Sequence, residues 1–433
     1  MRAKLVLVAT MALALIAAGG MWGLRSGGSR PASDTAAEPA TRLDQLTIAI
    51  GQAQSRLRAV PGDYHTWAAL GSAYLERARI SADPTWYAKA EGALRKSLAL
   101  RSTDNPDALT GLGALANARH EFARARELAR QALRINNYSA EAYGVLVDAL
   151  TQLGQSREAT EAAQHMLDLR PGLAALTRAA YDRELHGDLG AARALMTRAL
   201  NAAIDPADIA FCRYQLGELA FNTGDLTTAG AHYDAGLRFD PDYLPLLAGR
   251  AKVAAARGQL VAALTDYATI TSRTPSPSYL LEYAQLLRRA GRATEAASQL
   301  ELAKAAHQLF VSSGGRDDLG AAQIAIDSGR TGDAVTFARR EWTQRQFGEV
   351  ADVLAWAYHL AGNDRAALPY AHRALALDPG RSGFRYHLAM IELALGNEPA
   401  AHQDLARALA RNPYFSPVDA PIARQLLREM RHP

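Results

Sequence analysis

"YQLGELAFNTGDLTTAGAHYDAGLRFDP", residues 214–241, decides the fold. It carries Leu216-Gly217, then Gly224-Asp225, then Ala229, Tyr233, Leu237 and a closing Pro241. The last four stand four residues apart, the spacing of neighbours on one helix face. Gly224 followed by Asp225 reads as the end of one helix and the cap of the next. Pro241 stops the second helix, because its ring removes a donor and restricts the residue before it. The stretch therefore predicts two helices joined by a tight turn.

The same lattice recurs along the chain. Leu112-Gly113 is followed by Ala125, Ala129 and Leu133; Ala159, Ala163, Leu167 and Pro171 repeat the second half. So do Ala263, Tyr267 and Pro275, then Ala367, Ala371, Leu375 and Pro379, then Ala401, Leu405, Leu409 and Pro413. Pro241 to Pro275 is 34 residues, and so is Pro379 to Pro413; Asn137 stands 34 before Pro171. Trp67, Leu70, Gly71 and Tyr74 open the first full unit, and an insertion follows in "ERARISADPTWYAKA". Gly71, Gly113, Gly217 and Ala389 are expected to let a second helix approach closely, with the Ala about twelve residues on as the matching small residue. The turns "NTGD", "LAGN" and "ALGN" are expected to place Gly at the end of one helix and Asn or Asp at the cap of the next. One such pair cannot bury its apolar faces alone, so the pairs must stack.

In length, small-residue positions, turn and terminal proline, these units resemble the tetratricopeptide-repeat family. The resemblance implies an all-α, right-handed superhelical solenoid of about ten antiparallel helix pairs over residues 61–413. Residues 43–60 read as a capping helix ahead of the array and residues 414–433 as one that closes it. Two places depart from the pattern. Residues 172–206 lack the Leu-Gly pair in its first-helix position, and "AAHQLFVSSGGRDDLG" replaces a normal junction.

Ahead of the array, residues 5–24 are an uncharged apolar run behind Arg2 and Lys4. At 1.5 Å per residue, twenty helical residues just cover a bilayer core. Residues 1–25 are expected to be a membrane anchor, making the chain a single-pass protein with its repeats outside the cytoplasm. The alternative is a signal peptide cleaved near Ala17-Ala18-Gly19-Gly20, which would leave the protein secreted. No Cys follows the run, which excludes a lipid-modified N-terminal cysteine. Residues 26–42 are small, polar and Pro-containing, and read as a flexible linker.

Composition narrows the function. The chain has 433 residues and a net charge of +4. Residues 1–30 hold Arg2, Lys4, Arg25 and Arg30 and no acid, so the remainder balances 44 basic against 44 acidic residues. A nucleic-acid surface needs clustered basic charge, and no nucleic-acid partner is expected. The single cysteine, Cys212, cannot form a disulfide within the chain and reads as a small packing residue.

No sequence signature points to catalysis. His120-Glu121 lacks the second His of a zinc-protease helix, and "GGRDD" at 314–318 has neither the Lys nor the strand of a phosphate loop. The eleven His include no pair at helical ligand spacing, and no Gly-x-Ser-x-Gly elbow occurs. A non-catalytic protein without metal or cofactor is expected. The resemblance implies that the concave groove, lined by first-helix residues, binds a protein or peptide. Repeat position selects Asp148, Tyr181, Tyr214, Glu218, Asn222, Trp356, His359 and Tyr386 as its candidates. The alternative is a glycan or small ligand in the same groove. A mainly aromatic groove would favour glycans; Asn and balanced charges would favour a peptide main chain.

Overall fold

The computed structural model describes residues 42–430. The apolar run at 5–24 and nearly all of the linker lie outside the described residues. Among the described residues no helix is long and apolar enough to cross a membrane. The described chain holds twenty-two α-helices and no strand. Arg42, expected in the linker, opens α1 (Arg42–Ala59).

Ten helix pairs follow. They are α2 (Tyr64–Ser81) with α3 (Tyr87–Leu100), α4 (Pro106–Ala118) with α5 (Phe122–Ile135), and α6 (Ala140–Gln152) with α7 (Ser156–Leu169). Next come α8 (Leu173–Leu185) with α9 (Leu189–Ala202), α10 (Pro206–Phe221) with α11 (Leu226–Leu237), and α12 (Leu244–Ala256) with α13 (Leu260–Arg273). Then α14 (Pro277–Arg289) pairs with α15 (Ala293–Ser312), α16 (Asp318–Asp327) with α17 (Thr331–Gln344), α18 (Gly348–Leu360) with α19 (Asp364–Leu377), and α20 (Ser382–Ala394) with α21 (Glu398–Arg411). The last helix is α22 (Asp419–Glu429). Short turns make the members of each pair antiparallel. The chain is a helical-repeat solenoid.

The opening stretch shows how the sequence builds a pair. Gly224 takes a φ of +79°, a conformation that favours glycine, and the Asp225 carboxylate accepts from the Thr228 amide at 3.0 Å to cap α11. Asn363 caps α19 in the same way, but Asn397 makes no side-chain cap bond, a departure from the reading of "ALGN". A Cβ on Gly217 would stand 2.3 Å from the Tyr233 ring. The close approach is therefore between Gly217 and the Tyr233 ring, not between two small residues. Tyr233 is fully buried, and burial of such a side chain contributes about 1.5–3 kcal/mol.

First helices touch the next first helix at α2 and α4, α4 and α6, α6 and α8, α10 and α12, and α16 and α18. Second helices instead contact their own partner and the next first helix. The first helices thus line the inner side of the winding, and the second helices its outer side.

The winding closes on itself. Asn412 Nδ2 donates to the Phe221 carbonyl at 2.9 Å across 191 residues, and Arg345 pairs with Gln152 across 193. The Arg316 amide donates to the Arg119 carbonyl at 2.9 Å. Gly187 lies against Pro379, and Gly224 against Pro413. One turn of the solenoid therefore takes between five and six units of 34 residues, and its second turn rests on its first.

This contact explains the irregular junction near residue 314. Helix α15 runs for 20 residues and carries Phe310 to Tyr87 (ring centroids 6.4 Å apart) and His120 (5.1 Å), both in the first turn. The insertion after Tyr74 extends α2 to 18 residues and adds a 3-10 turn at Pro84–Trp86.

Candidate functional site

The inner side is polar where the first helices of the first turn face the start of α20. A cleft of about 780 Å³, partly open to solvent, lies there. Its walls include Glu184 on α8, Phe221 and Asn222 at the end of α10, Lys252 on α12, Asp378 and Arg381 ahead of α20, and Asn412 and Phe415 after α21. Four acids, Glu184, Asp352, Asp378 and Asp419, share the walls with three bases, Lys252, Arg381 and Arg411.

Most of these charges are held by a neighbour. Lys252 Nζ donates to both Glu218 carboxylate oxygens at 2.6 Å, and the Tyr233 hydroxyl donates to Glu218 Oε1 at 2.6 Å. One unit on, the Tyr267 hydroxyl donates to Glu282 at 2.6 Å. Arg381 Nε donates to Asp378 at 2.7 Å, and Asn222 Nδ2 to Glu184 at 3.4 Å. Burial pushes the Glu184 carboxyl up to about 7, with Arg381 opposing that rise. Burial also pushes Glu349 up to about 7, against the pull of Arg345 and Arg381. The layer thus holds two carboxyls that change charge near neutral pH, where bulk carboxyls are fully ionised.

The structure divides the eight sequence candidates. Asn222 lines the cleft, and Glu218 stands beside it through Lys252. Tyr181 is half-buried and lies within the electrostatic reach of Arg381, Glu184 and Glu349. Asp148 is taken up by a two-pronged ion pair with Arg178, at 2.8 and 2.7 Å. His359 pairs with Asp364 and stacks on Trp356. Tyr214, Trp356 and Tyr386 face the interior and not an open groove. They are 2%, 0% and 0% exposed, and Trp356 and Tyr386 belong to one aromatic core with Phe415. Large rings bury more apolar area than any other residues, so the same helix face draws them inward wherever another layer covers it.

The sequence reading missed Glu184, Lys252, Glu282 and Arg381. A signal for two of them existed: Glu184, Glu218 and Lys252 stand 34 residues apart, at one repeat position. Arg381 had none, because it belongs to a junction. Cys212 is fully buried and its thiol is pushed up to about 12 by burial, which suits packing. Among the described residues no group of three His, Cys, Asp or Glu is arranged to hold a metal.

No family description and no curated protein matches the chain. Solved structures do. The anaphase-promoting-complex hetero-tetramer Cut9–Hcn1 is 13% identical over 90% of this chain and 96% of that one, with a TM-score of 0.41. A tetratricopeptide-repeat protein from Parabacteroides merdae is 17% identical over 60% of this chain and 99% of its own, with a TM-score of 0.36. PilF of Pseudomonas aeruginosa is 18% identical over 45% and 88%, with a TM-score of 0.38. The assignment as a helical-repeat solenoid rests on the ten helix pairs themselves.

Proposed function

We propose that the chain is a non-catalytic, tetratricopeptide-like scaffold that holds a peptide segment of a partner protein along its inner side. One observation carries this reading: the cleft walls mix Asn222 and Asn412 with both acids and bases. An extended main chain presents donors and acceptors in equal number, and such a wall can satisfy both. A glycan site would instead be mainly aromatic, with few ionised groups. The test replaces Asn222 with a photo-crosslinking amino acid in the full-length protein. Recovery of crosslinked polypeptide supports the scaffold; recovery of glycan or small molecules alone overturns it.

We further propose that residues 5–24 hold the array at the bacterial cell envelope, on the extracytoplasmic side. Their length and lack of charge support this. Membrane fractionation with N-terminal sequencing tests it: a soluble mature protein starting near residue 20 would replace the anchor with a cleaved signal.

A further inference from the structure

A second cleft, of about 680 Å³, lies beside the first. Its walls come from Lys252, Ala255, Tyr267, Glu282 and Leu286 on one side and from residues 413–417 with the start of α22 on the other. Phe221, Lys252, Phe415 and Ser416 line both clefts. The two are therefore one groove, divided where Phe415-Ser416 meets Phe221 and Lys252.

The divider has unusual properties for a core element. Residues 412–418 are turn and coil, with Pro413 and Pro417 at positions where the backbone offers no donor. Clefts partly open to solvent lie on both sides of them. Two polar contacts tie them to α10 and α14, Asn412 Nδ2 to the Phe221 carbonyl at 2.9 Å and Arg289 to the Pro417 carbonyl. The one large side chain they bury is Phe415, against Tyr386 (ring centroids 5.6 Å apart).

We propose that residues 413–417 are a displaceable internal ligand of this groove, and that the groove takes a partner peptide of the same chemistry: an aromatic residue flanked by prolines. The resident segment is the argument for that occupant, because it already seats such a sequence against Phe221, Lys252 and Arg289. Its departure merges the two clefts into one. This inference rests on the peptide-scaffold reading above.

The test uses full-length Asn412→Ala and the double variant Asn412→Ala, Phe415→Ala, changed only in the resident segment, with a fluorescein-labelled peptide NPYFSPVD. The single variant leaves Phe415 in its aromatic core. Loss of the Asn412 bonds to the Phe221 carbonyl and the Tyr414 amide is expected to speed amide exchange in residues 414–418 by about tenfold or more. The double variant should bind the peptide at least about tenfold more tightly than wild type, because its resident segment competes less well while the groove keeps Phe221, Lys252 and Arg289. A peptide with its Phe replaced by Ser should not bind. Exchange unchanged in both variants overturns the proposal, and so does faster exchange without tighter binding. Crosslinking at Asn222 reads the wild-type groove with the segment in place, so its success or failure is separate from this one.

Discussion

Glu218 and Trp356 occupy the same position of the repeat, four units apart, yet they meet opposite fates. Glu218 stands half-buried on the polar inner side, tied to Lys252 and Tyr233. Trp356 is fully buried, with His387 stacked on one side at 4.2 Å and Tyr386 nearby at 6.2 Å. The repeat position sets which way a side chain leaves its helix. What covers that face depends on the winding: beside α18, the core is completed by Phe415 and α22. Beside α10 the inner face meets a cleft.

The largest test of this contrast is truncation at both positions. Trp356→Ala should lower unfolding free energy by about 3–5 kcal/mol, as expected for a buried Trp. Glu218→Gln should cost about 2 kcal/mol, because the amide keeps the Tyr233 bond but loses charge assistance to Lys252. Urea denaturation of both variants checks the order; a reversed order would break the comparison.

A second test probes the packing beneath Glu218. Gly217→Ala would push a methyl into the Tyr233 ring, and should cost about 1–3 kcal/mol. Combining it with Tyr233→Leu should recover part of that loss, and a double-mutant cycle reads the coupling.

Titration sharpens the charged side. Glu184 and Glu349 sit at about 7 in the fold, above their ordinary value of 4.5. Between those values the folded chain holds more protons than the unfolded one. Stability should therefore fall as pH rises from 4.5 to 7, and then level off. Glu184→Gln with Glu349→Gln should make the profile measured by urea denaturation from pH 5 to 8 shallower, with Asp327 and Glu392 left to titrate in it.

The smallest effect lies at the turns. Asp225→Ala should cost about 1 kcal/mol through its lost cap, and Asn397→Ala much less, because that side chain makes no cap bond. Thermal unfolding of the two variants separates them.

The helix pairs were legible because each depends on residues within one unit: a glycine where backbones approach, a cap, a terminal proline. The charged layer was half legible, since Glu184 and Lys252 share the 34-residue period of Glu218, while Arg381 lies in a junction outside it. The burial of Trp356 and Tyr386 was not legible, because it depends on Phe415 and α22 folding back on residues far away in sequence. The junction near residue 314 looked like a defect in the repeat. It is the place where α15 lengthens to carry Phe310 to the first turn.

Contacts across 191 and 193 residues also change how this molecule should come apart. A simple stack behaves as a one-dimensional chain, in which end units fray while the middle stays folded. Here a unit in the first turn has neighbours above it as well as beside it. Loss of the last helices would uncover α10 and α12 in mid-chain, so damage at one end is felt at the centre, and the array should melt as a block instead of link by link.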